Sequence, residues 1–563
     1  MHRRQFLEGC GLGLAGLQAA TGQRAIARAT GRFPREMKAD VAIIGGGLGG
    51  CAAALAALRM GKTVVMTEPT DWVGGQLTSQ AVPPDEPQWI ESFGANASYM
   101  ALRKGIREYY RRNYPLTAEA RAQVNLNPGN GGVSLLCHEP RVALAVLTEM
   151  LAPYASGGKL TVLLEHEPVA AETRGDRVDL VVVRDKAGDR RTVLAPYFLD
   201  ATELGDLLPL AKAEFVTGFE GRDEVGGDLR HPRRAQPTNQ QAFTCCFAIE
   251  HRAGQDHTID KPDEYAFWRD FVPKLDPAWP GPLLGPHPDP ITLKTRPWSF
   301  DPTGPGAGFW VYRRIADARN FVPGTYAGGI TLVNWPQNDY LLGNLVGVAP
   351  DEAARHLAKA KSLSLSLLYW LQTEAPRPDG GAGWRGLMPR PDLVGTVDGL
   401  AKAPYVRESR RIKAEFTVLE SHVGTDARRK ALSRQDVEAE RFPDRVGIGS
   451  YRIDLHPSTG GDNYIDVSSL PFTIPLGALI PRRVENLLAA CKNLGVTHVT
   501  NGCYRLHPVE WSIGEAAGSL AAHCLDIGES PRAVRNNPKR MAEFQARITG
   551  QGVEIDWPRL TPR

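Results

Sequence analysis

Short apolar runs separated by helical patterns set the plan of the chain. Ala39-Asp40-Val41-Ala42-Ile43-Ile44 is a β-rich run, and Ala52 to Met60 reads as a helix of Ala, Leu and Arg. Lys62-Thr63-Val64-Val65-Met66-Thr67 is a second strand, and Leu160 to Leu164 a third. Between them, residues 101–150 carry helical patterning, clearest from Arg141 to Leu151. Val178 to Arg184 and Arg191 to Leu194 alternate in polarity around a turn at Gly188, which predicts a β-meander. From about 216 to 480 the pattern changes. Pro and aromatic residues cluster there, as in PGPLLGPHPDP (280–290) and PWSFDPTGPGAGFW (297–310). Leu357 to Leu371 is the strongest helix of that stretch.

The first residues stand apart from this plan. Arg3 and Arg4 precede Gln5, Phe6 and Leu7, and a Gly/Ala-rich stretch runs from Gly9 to Ala20. Ala27-Arg28-Ala29 then offers a small-x-small cleavage site. Together these resemble a twin-arginine export signal over residues 1–29. The alternative is a ragged basic tail on a cytoplasmic protein.

Composition narrows the classes. The chain has 563 residues, which allows two to four domains, and 42% hydrophobic with 23% charged residues is ordinary globular composition. The formal charge of +3 gives no whole-protein argument for nucleic acid. Removing four Arg and one Glu with residues 1–29 leaves 3 − 3 = 0. Eight cysteines in this length are not a disulfide scaffold. Neither C-x-x-C nor H-E-x-x-H occurs, so no metal is expected. No apolar run reaches the roughly 18 residues of a membrane span, so stable membrane insertion is not expected either.

The chemistry starts at Gly45-Gly46-Gly47-Leu48-Gly49-Gly50. Gly45, Gly47 and Gly50 give G-x-G-x-x-G between a strand and a helix, the required context for a dinucleotide site. Gly45 makes the tight turn, Gly47 leaves room for a pyrophosphate, and Gly50 lets helix and strand pack closely. The helix start adds free N–H groups and a positive dipole end. Glu68 ends the second strand 18 residues past Gly50, placed to accept from a ribose hydroxyl.

NAD and FAD share this fingerprint, and later segments choose between them. Gly74, Gly75 and Gln76 lie in DWVGGQLTS (71–79), just after the ribose acid. Asp200 opens DATELGD (200–206). Ser512-Ile513-Gly514-Glu515-Ala516-Ala517-Gly518 reads as a helix start facing a flavin edge. A site drawn from both ends of the chain suits the longer FAD. No second strand–G-x-G-x-x-G–helix unit exists, since GIGSYR (447–452) lacks the last glycine. A separate NAD(P)H domain is therefore not expected.

In this order the segments resemble the FAD-dependent oxidoreductases of the glutathione-reductase-like superfamily, and more narrowly the FAD_oxidored group. PYVRESRRI (404–412) and NLLAACKNLGVTHVTNGCYRLHPVEWSIGEAAG (486–518) add to the resemblance. It implies FAD contacts near Asn493, Gly495 and Gly514 to Ala517. One departure is Glu203, which stands where family members often carry the glycine of an Ala-Thr-Gly turn.

A flavin carries the hydride chemistry itself, so the protein must orient substrate and move protons. His507 is the first candidate base, with a hydrogen-bonded structural histidine as the alternative. Arg505 is placed to hold a carboxylate or the flavin's negative charge, or else forms a salt bridge. His498 and Asn501 are weaker candidates in the same loop. Arg407 and Arg411, at i and i+4 with Arg410 beside them, form either a carboxylate clamp on a helix or a solvated face. His456 is a second candidate base. Asn334, Trp335, Asp339 and Tyr340 either line a pocket or pack. Cys245-Cys246 is adjacent in sequence, and such pairs rarely bridge.

The expected fold class is α/β. A Rossmann-like FAD-binding domain, parallel sheet plus β-meander, is assembled from both chain ends around an inserted mixed α+β substrate domain. The expected segments are a signal at 1–29, the FAD domain at 37–215 and 481–530, the insert at 216–480, and a C-terminal tail at 531–563. The expected function is an exported, periplasmic or secreted flavoprotein oxidoreductase. It passes hydride from a small organic substrate to FAD and electrons onward to oxygen, a quinone or a carrier. The alternatives are a non-redox flavin enzyme such as a lyase, or a flavin-dependent reductase.

Overall fold

The computed structural model describes residues 35–226, 228, 230–304, 308–558 and 560. The twin-arginine segment lies outside the described residues. In chain order the framework begins with β1 (Arg35–Lys38), β2 (Val41–Ile44), α1 (Leu48–Arg59) and β3 (Val64–Glu68). Two long helices follow, α2 (Ala97–Asn113) and α3 (Pro140–Ser156). Then come β4 (Leu160–Leu164), β5 (His166–Arg174), β6 (Arg177–Asp185), β7 (Arg190–Leu194) and β8 (Tyr197–Asp200).

β2, β3, β4 and β8 form a parallel sheet that is mixed α/β in its surroundings. Its fifth strand, Leu487–Ala489, comes from far along the chain and pairs parallel with β8. The Val and Ile of β2 are fully buried, as in a strand covered on both faces. β5, β6 and β7 are the expected meander, and β1 adds to its edge parallel to β7.

A second core lies between 242 and 464, rich in tryptophan: Trp268, Trp279, Trp310, Trp335, Trp370 and Trp384. Its four strands are β9 (Phe247–His251), β10 (Arg314–Ala316), β11 (Ile330–Val333) and β12 (Leu387–Pro389), in the order β10-β11-β9-β12. The helix expected around 357–371 runs from Pro350 to Thr373 (α4), with Pro at its start and Asp351 and Glu352 in its first turn.

Three expectations change. The C-terminal helix does not start at Ser512. It runs from His507 to Ile527 (α5), with Pro508 in its first turn. The segment 404–410 is not helical, and Arg411–Ile412 is a short strand. Residues 531–558 of the expected C-terminal tail pack on the main core. Met541, Phe544 and Ile548 are buried in the main core, and Trp557 donates to the Phe472 carbonyl at 2.8 Å.

Among the described residues no helix is long and apolar enough to cross a membrane, and no cluster of metal-ligating side chains occurs. Cys245 and Cys246 are both free and buried.

Candidate functional site

Gly45 has φ +107°, a conformation that favours glycine, and a Cβ there would strike the Ala201 backbone. Its N–H donates to Thr67 Oγ1 at 3.1 Å. Gly50 is pressed against the Gly45 carbonyl, so it too admits no side chain. Gly47 caps α1 without a side-chain hydrogen bond, so the first-turn N–H groups depend on partners from elsewhere. A Cβ at Gly47 would lie 2.9 Å from Glu203 Oε1, and one at Gly75 2.8 Å from the same atom. Gly74, at φ +108°, donates to the Gly46 carbonyl at 2.8 Å and seals the two glycine segments together.

Glu68 ends β3 beside this loop. Its Oε1 accepts from Thr70 N at 3.0 Å and Thr70 Oγ1 at 2.7 Å, and burial pushes its carboxyl up to about 8. Asp200 ends β8 with its Oδ1 accepting from Thr202 N at 3.0 Å. Burial raises it to about 7, and its Oδ2 has no partner. Asn493 is held behind it, donating to the Asp200 carbonyl at 3.0 Å.

At the start of α1 three charges meet. Lys492 pairs with Glu203, and Glu510 accepts the Gly49 N–H at 3.1 Å. Nearby carboxylates hold the Lys492 ammonium charged despite its burial. Burial pushes the Glu510 carboxyl up, opposed by Lys492. Glu203 is the departure noted in the family's turn, whereas Lys492 and Glu510 carry no cofactor role in the sequence reading. The available signal was a charged residue inside an apolar run, LLAACKNLG and PVEWSIG, because such a residue needs a buried partner.

Gln76 links this loop to a pocket. Its amide donates to the Arg505 carbonyl at 3.0 Å and to Glu510, and its oxygen accepts from Tyr405 OH at 3.3 Å. Arg505 in turn donates to the Asp454 carbonyl at 3.0 Å. Beyond lies a cavity of about 490 Å³ walled by Phe309, Tyr312, Arg313, Asp454, His456 and Tyr464 among others. His456 Nδ1 sits 2.6 Å from Asp339 Oδ2, and its Nε2 lies 3.7 Å from Asp454 Oδ2. Arg407 pairs with Asp339 Oδ1 at 3.0 Å and donates to Thr244 Oγ1 at 2.9 Å. Arg407 and His456 together hold the Asp339 carboxyl below the usual range.

The profile of the FAD dependent oxidoreductase family matches residues 40–548. The chain belongs to that family. No curated protein matches it. Solved flavoproteins resemble parts of it. L-proline dehydrogenase from P. horikoshii is 18% identical over 34% of this chain and 26% of that one, with a TM-score of 0.17. The flavin-dependent monooxygenase PieE, solved with FAD and substrate, is 15% identical over 39% and 36%, at 0.23. A flavoprotein/dehydrogenase from Cytophaga hutchinsonii is 14% identical over 41% and 48%, at 0.23. This chain thus spans between a quarter and a half of those three chains. Likeness at such scores carries no assignment, which rests on the family match.

FAD is the cofactor of this family, and the residues present fit it. Gly47 and Gly75 are spaces that a Cβ would fill, and Glu68 stands at the ribose position. Buried polar atoms without partners gather between the loop and the pocket: the Gln80 amide, Arg505 Nε and His507 Nε2.

Several sequence assignments in this FAD dependent oxidoreductase take different roles in the structure. His507 is no base. Its Nδ1 accepts the Asp85 N–H at 3.1 Å, which places the ring proton on Nε2 and makes that atom a donor. Burial and Arg313 push the ring down to about 3. Gly514 to Ala517 lie inside α5, so their N–H groups bond within the helix and do not face a flavin. Gly514 and Gly518 instead seat α5 on Gly49 and Ala53 of α1. Glu515 accepts from Asn96 at 2.8 Å and Ser98 at 2.6 Å and pairs with Arg59, a structural role.

The arginine clamp does not form, because the segment is extended. Arg410 pairs with Asp206 at 2.9 Å, Arg411 with Glu220 at 2.7 Å, and Arg407 with Asp339. Arg407 therefore holds the Asp339 carboxylate that bonds His456. Arg505 is buried against Asp454 and is not free for a carboxylate. His498 bonds Glu408 at 2.9 Å, and Asn501 donates to the Arg407 carbonyl at 2.8 Å; both are structural. Trp335 and Tyr340 pack in the second core, whereas Asn334 lines the pocket.

Proposed function

We propose that this protein oxidises a small organic substrate in the pocket, at a carbon bearing an ionisable O–H or N–H group. The Asp339–His456 pair carries the reading. Asp339 accepts a hydrogen bond from Nδ1, and Nε2 of His456, with Asp454 Oδ2 3.7 Å away, is the atom that takes the substrate proton when the ring is neutral. When bound, FAD supplies the two-electron acceptor for the hydride. Gln76 and Tyr405 tie the cofactor loop to the pocket, and Arg313, fixed by the Asn334 carbonyl at 3.0 Å, holds one wall. His507 Nε2–H is a fixed donor rather than a proton acceptor.

In this reading the cofactor unit is assembled from both ends of the chain, and the second core carries the substrate side. The protein works outside the cytoplasm, supported by Arg3 and Arg4, and passes electrons to oxygen, a quinone or a carrier. Anaerobic mixing with a panel of alcohols and amines tests the redox step. Bleaching of the flavin supports it. A substrate converted while the flavin stays oxidised favours the lyase-like alternative.

A further inference from the structure

The pocket's wall has a composition that selects a class of ligand. Two arginines and two aspartates line it, Arg296, Arg313, Asp454 and Asp466, so their charges cancel. Each is already paired within the protein. Arg313 faces Asp85 at 3.5 Å, Arg296 pairs with Asp289, Asp454 faces Arg505 at 3.3 Å, and Asp466 pairs with Arg452. A charged ligand would have to compete with these pairs, and at the buried Arg313–Asp85 and Asp454–Arg505 pairs it would leave a partner unbalanced.

The rest of the wall is aromatic with polar tips. Phe309 and His287 pack at 5.2 Å on one side. Tyr464 stands on the other, edge-on to His456 at 5.3 Å and stacked on Trp279. Tyr464 is 5% exposed, yet its hydroxyl has no partner. The same holds for His287 Nδ1. Buried polar groups of this kind are normally hydrogen-bonded, so these two tips add polar character to the aromatic wall. Burial also keeps the Tyr464 hydroxyl protonated, and so a donor.

We infer that the pocket binds a neutral, polyhydroxylated ring: a sugar or cyclitol. Its C–H faces lie against the aromatic faces, whose π-clouds are electron-rich. Its hydroxyls, each both donor and acceptor, meet the polar tips of Tyr464 and His287. One ring hydroxyl then reaches His456 Nε2, the acceptor of the Asp339–His456 pair. The cavity of about 490 Å³ falls within the usual range for small-ligand sites. This class rests on reading the pocket as the substrate site.

The test is equilibrium titration of the FAD-loaded protein by calorimetry, independent of turnover. The probes are myo-inositol, D-glucose and cellobiose, against D-gluconate and benzyl alcohol. At least one neutral polyol is expected to bind saturably, and the two controls more weakly. Tyr464→Phe keeps the ring and removes the hydroxyl, and is expected to weaken binding about three- to tenfold. Phe309→Ala removes the facing aromatic wall and is expected to weaken it as well. No saturable binding by any polyol up to the millimolar range overturns the inference. So does tighter binding of gluconate or benzyl alcohol, or polyol binding untouched by both variants. The redox reading fails separately. A polyol that binds in the pocket but never bleaches the flavin leaves the class standing, and a charged substrate that bleaches it removes the class alone.

Discussion

Asp339 Oδ2 lies 2.6 Å from His456 Nδ1, while Arg407 and Thr244 both bond its other oxygen. The carboxylate is therefore held from both sides, and the imidazole has one orientation. Asp339→Asn tests the consequence. Arg407 and Thr244 require an oxygen on their side, so the amide NH₂ faces Nδ1. The proton then moves to Nε2, and the base is lost. The rate of anaerobic flavin reduction is expected to fall by about 10²–10⁴, and the same fall is expected for His456→Gln. FAD content stays unchanged in both. A parent rate in either variant places the base elsewhere.

The glycine loop separates cofactor contact from fold. Gly45→Ala forces a side chain at positive φ into the Ala201 backbone and is expected to lower thermal stability. Gly47 has ordinary backbone geometry, and its Cβ would meet only the Glu203 carboxylate closely. Gly47→Val is therefore expected to fold but to purify colourless. Absorbance at flavin wavelengths checks it, and full occupancy would remove Gly47 from the cofactor site.

Glu510 accepts the Gly49 N–H at the start of α1, where a helix end favours an anionic group such as phosphate. Glu510→Gln keeps an acceptor there and removes the charge. FAD is expected to bind tighter by about 0.3–2 kcal/mol, the range for a charge at a helix start. Lys492→Met leaves two carboxylates beside the same N–H and is expected to weaken FAD. Titration of the deflavinated proteins by flavin fluorescence reads both, and equal affinities would show that this trio does not touch cofactor loading.

Two buried neutral histidines make a separable contribution to acid stability. Burial pushes His138 down to about 4 and His507 to about 3, from an ordinary 6.5. Below pH 6.5 the unfolded chain takes up these protons and the folded one does not. Their contribution is thus complete above about 6.5 and lost as pH falls toward the folded values. At pH 5.5 each ring costs about 1.4 kcal/mol. The raised carboxyls of Glu68 and Asp200 act in the opposite sense, so the ring's share is read as a difference from the parent: His507→Asn is expected to lose less, or gain more, urea stability between pH 7 and 5. A slope unaltered by that substitution would mean the ring is protonated in the folded protein.

Arg3 and Arg4 govern the proposed export. A reporter fused to residues 1–35 is expected outside the cytoplasm, and the double change to Lys is expected to retain it. Fractionation reads the result, and normal export of the double variant would remove the twin-arginine reading.

Local pattern determined much of this protein. The strands 41–44, 64–68 and 160–164 were legible because apolar runs mark buried strands wherever they occur. The glycine spacing was legible because close backbone approach admits no other residue. Helix α5 was misplaced by five residues because Gly514 and Gly518 mimic a helix start. In the structure they are contact points where α1 and α5 meet. Pro508, in the first turn of α5, was the sequence signal for its true start.

The site itself was decided by tertiary structure. Asp339 and His456 are 117 residues apart, and Glu203 and Lys492 are 289 apart. Periodicity reports which face of an element is buried, not which distant face meets it. The same limit explains His507. Its sequence neighbours place it near the cofactor, but its role is set by the Asp85 N–H, 422 residues away, which fixes the tautomer. Hydrogen-bond direction is a property of packed neighbours, so only the folded chain could tell the base from the donor.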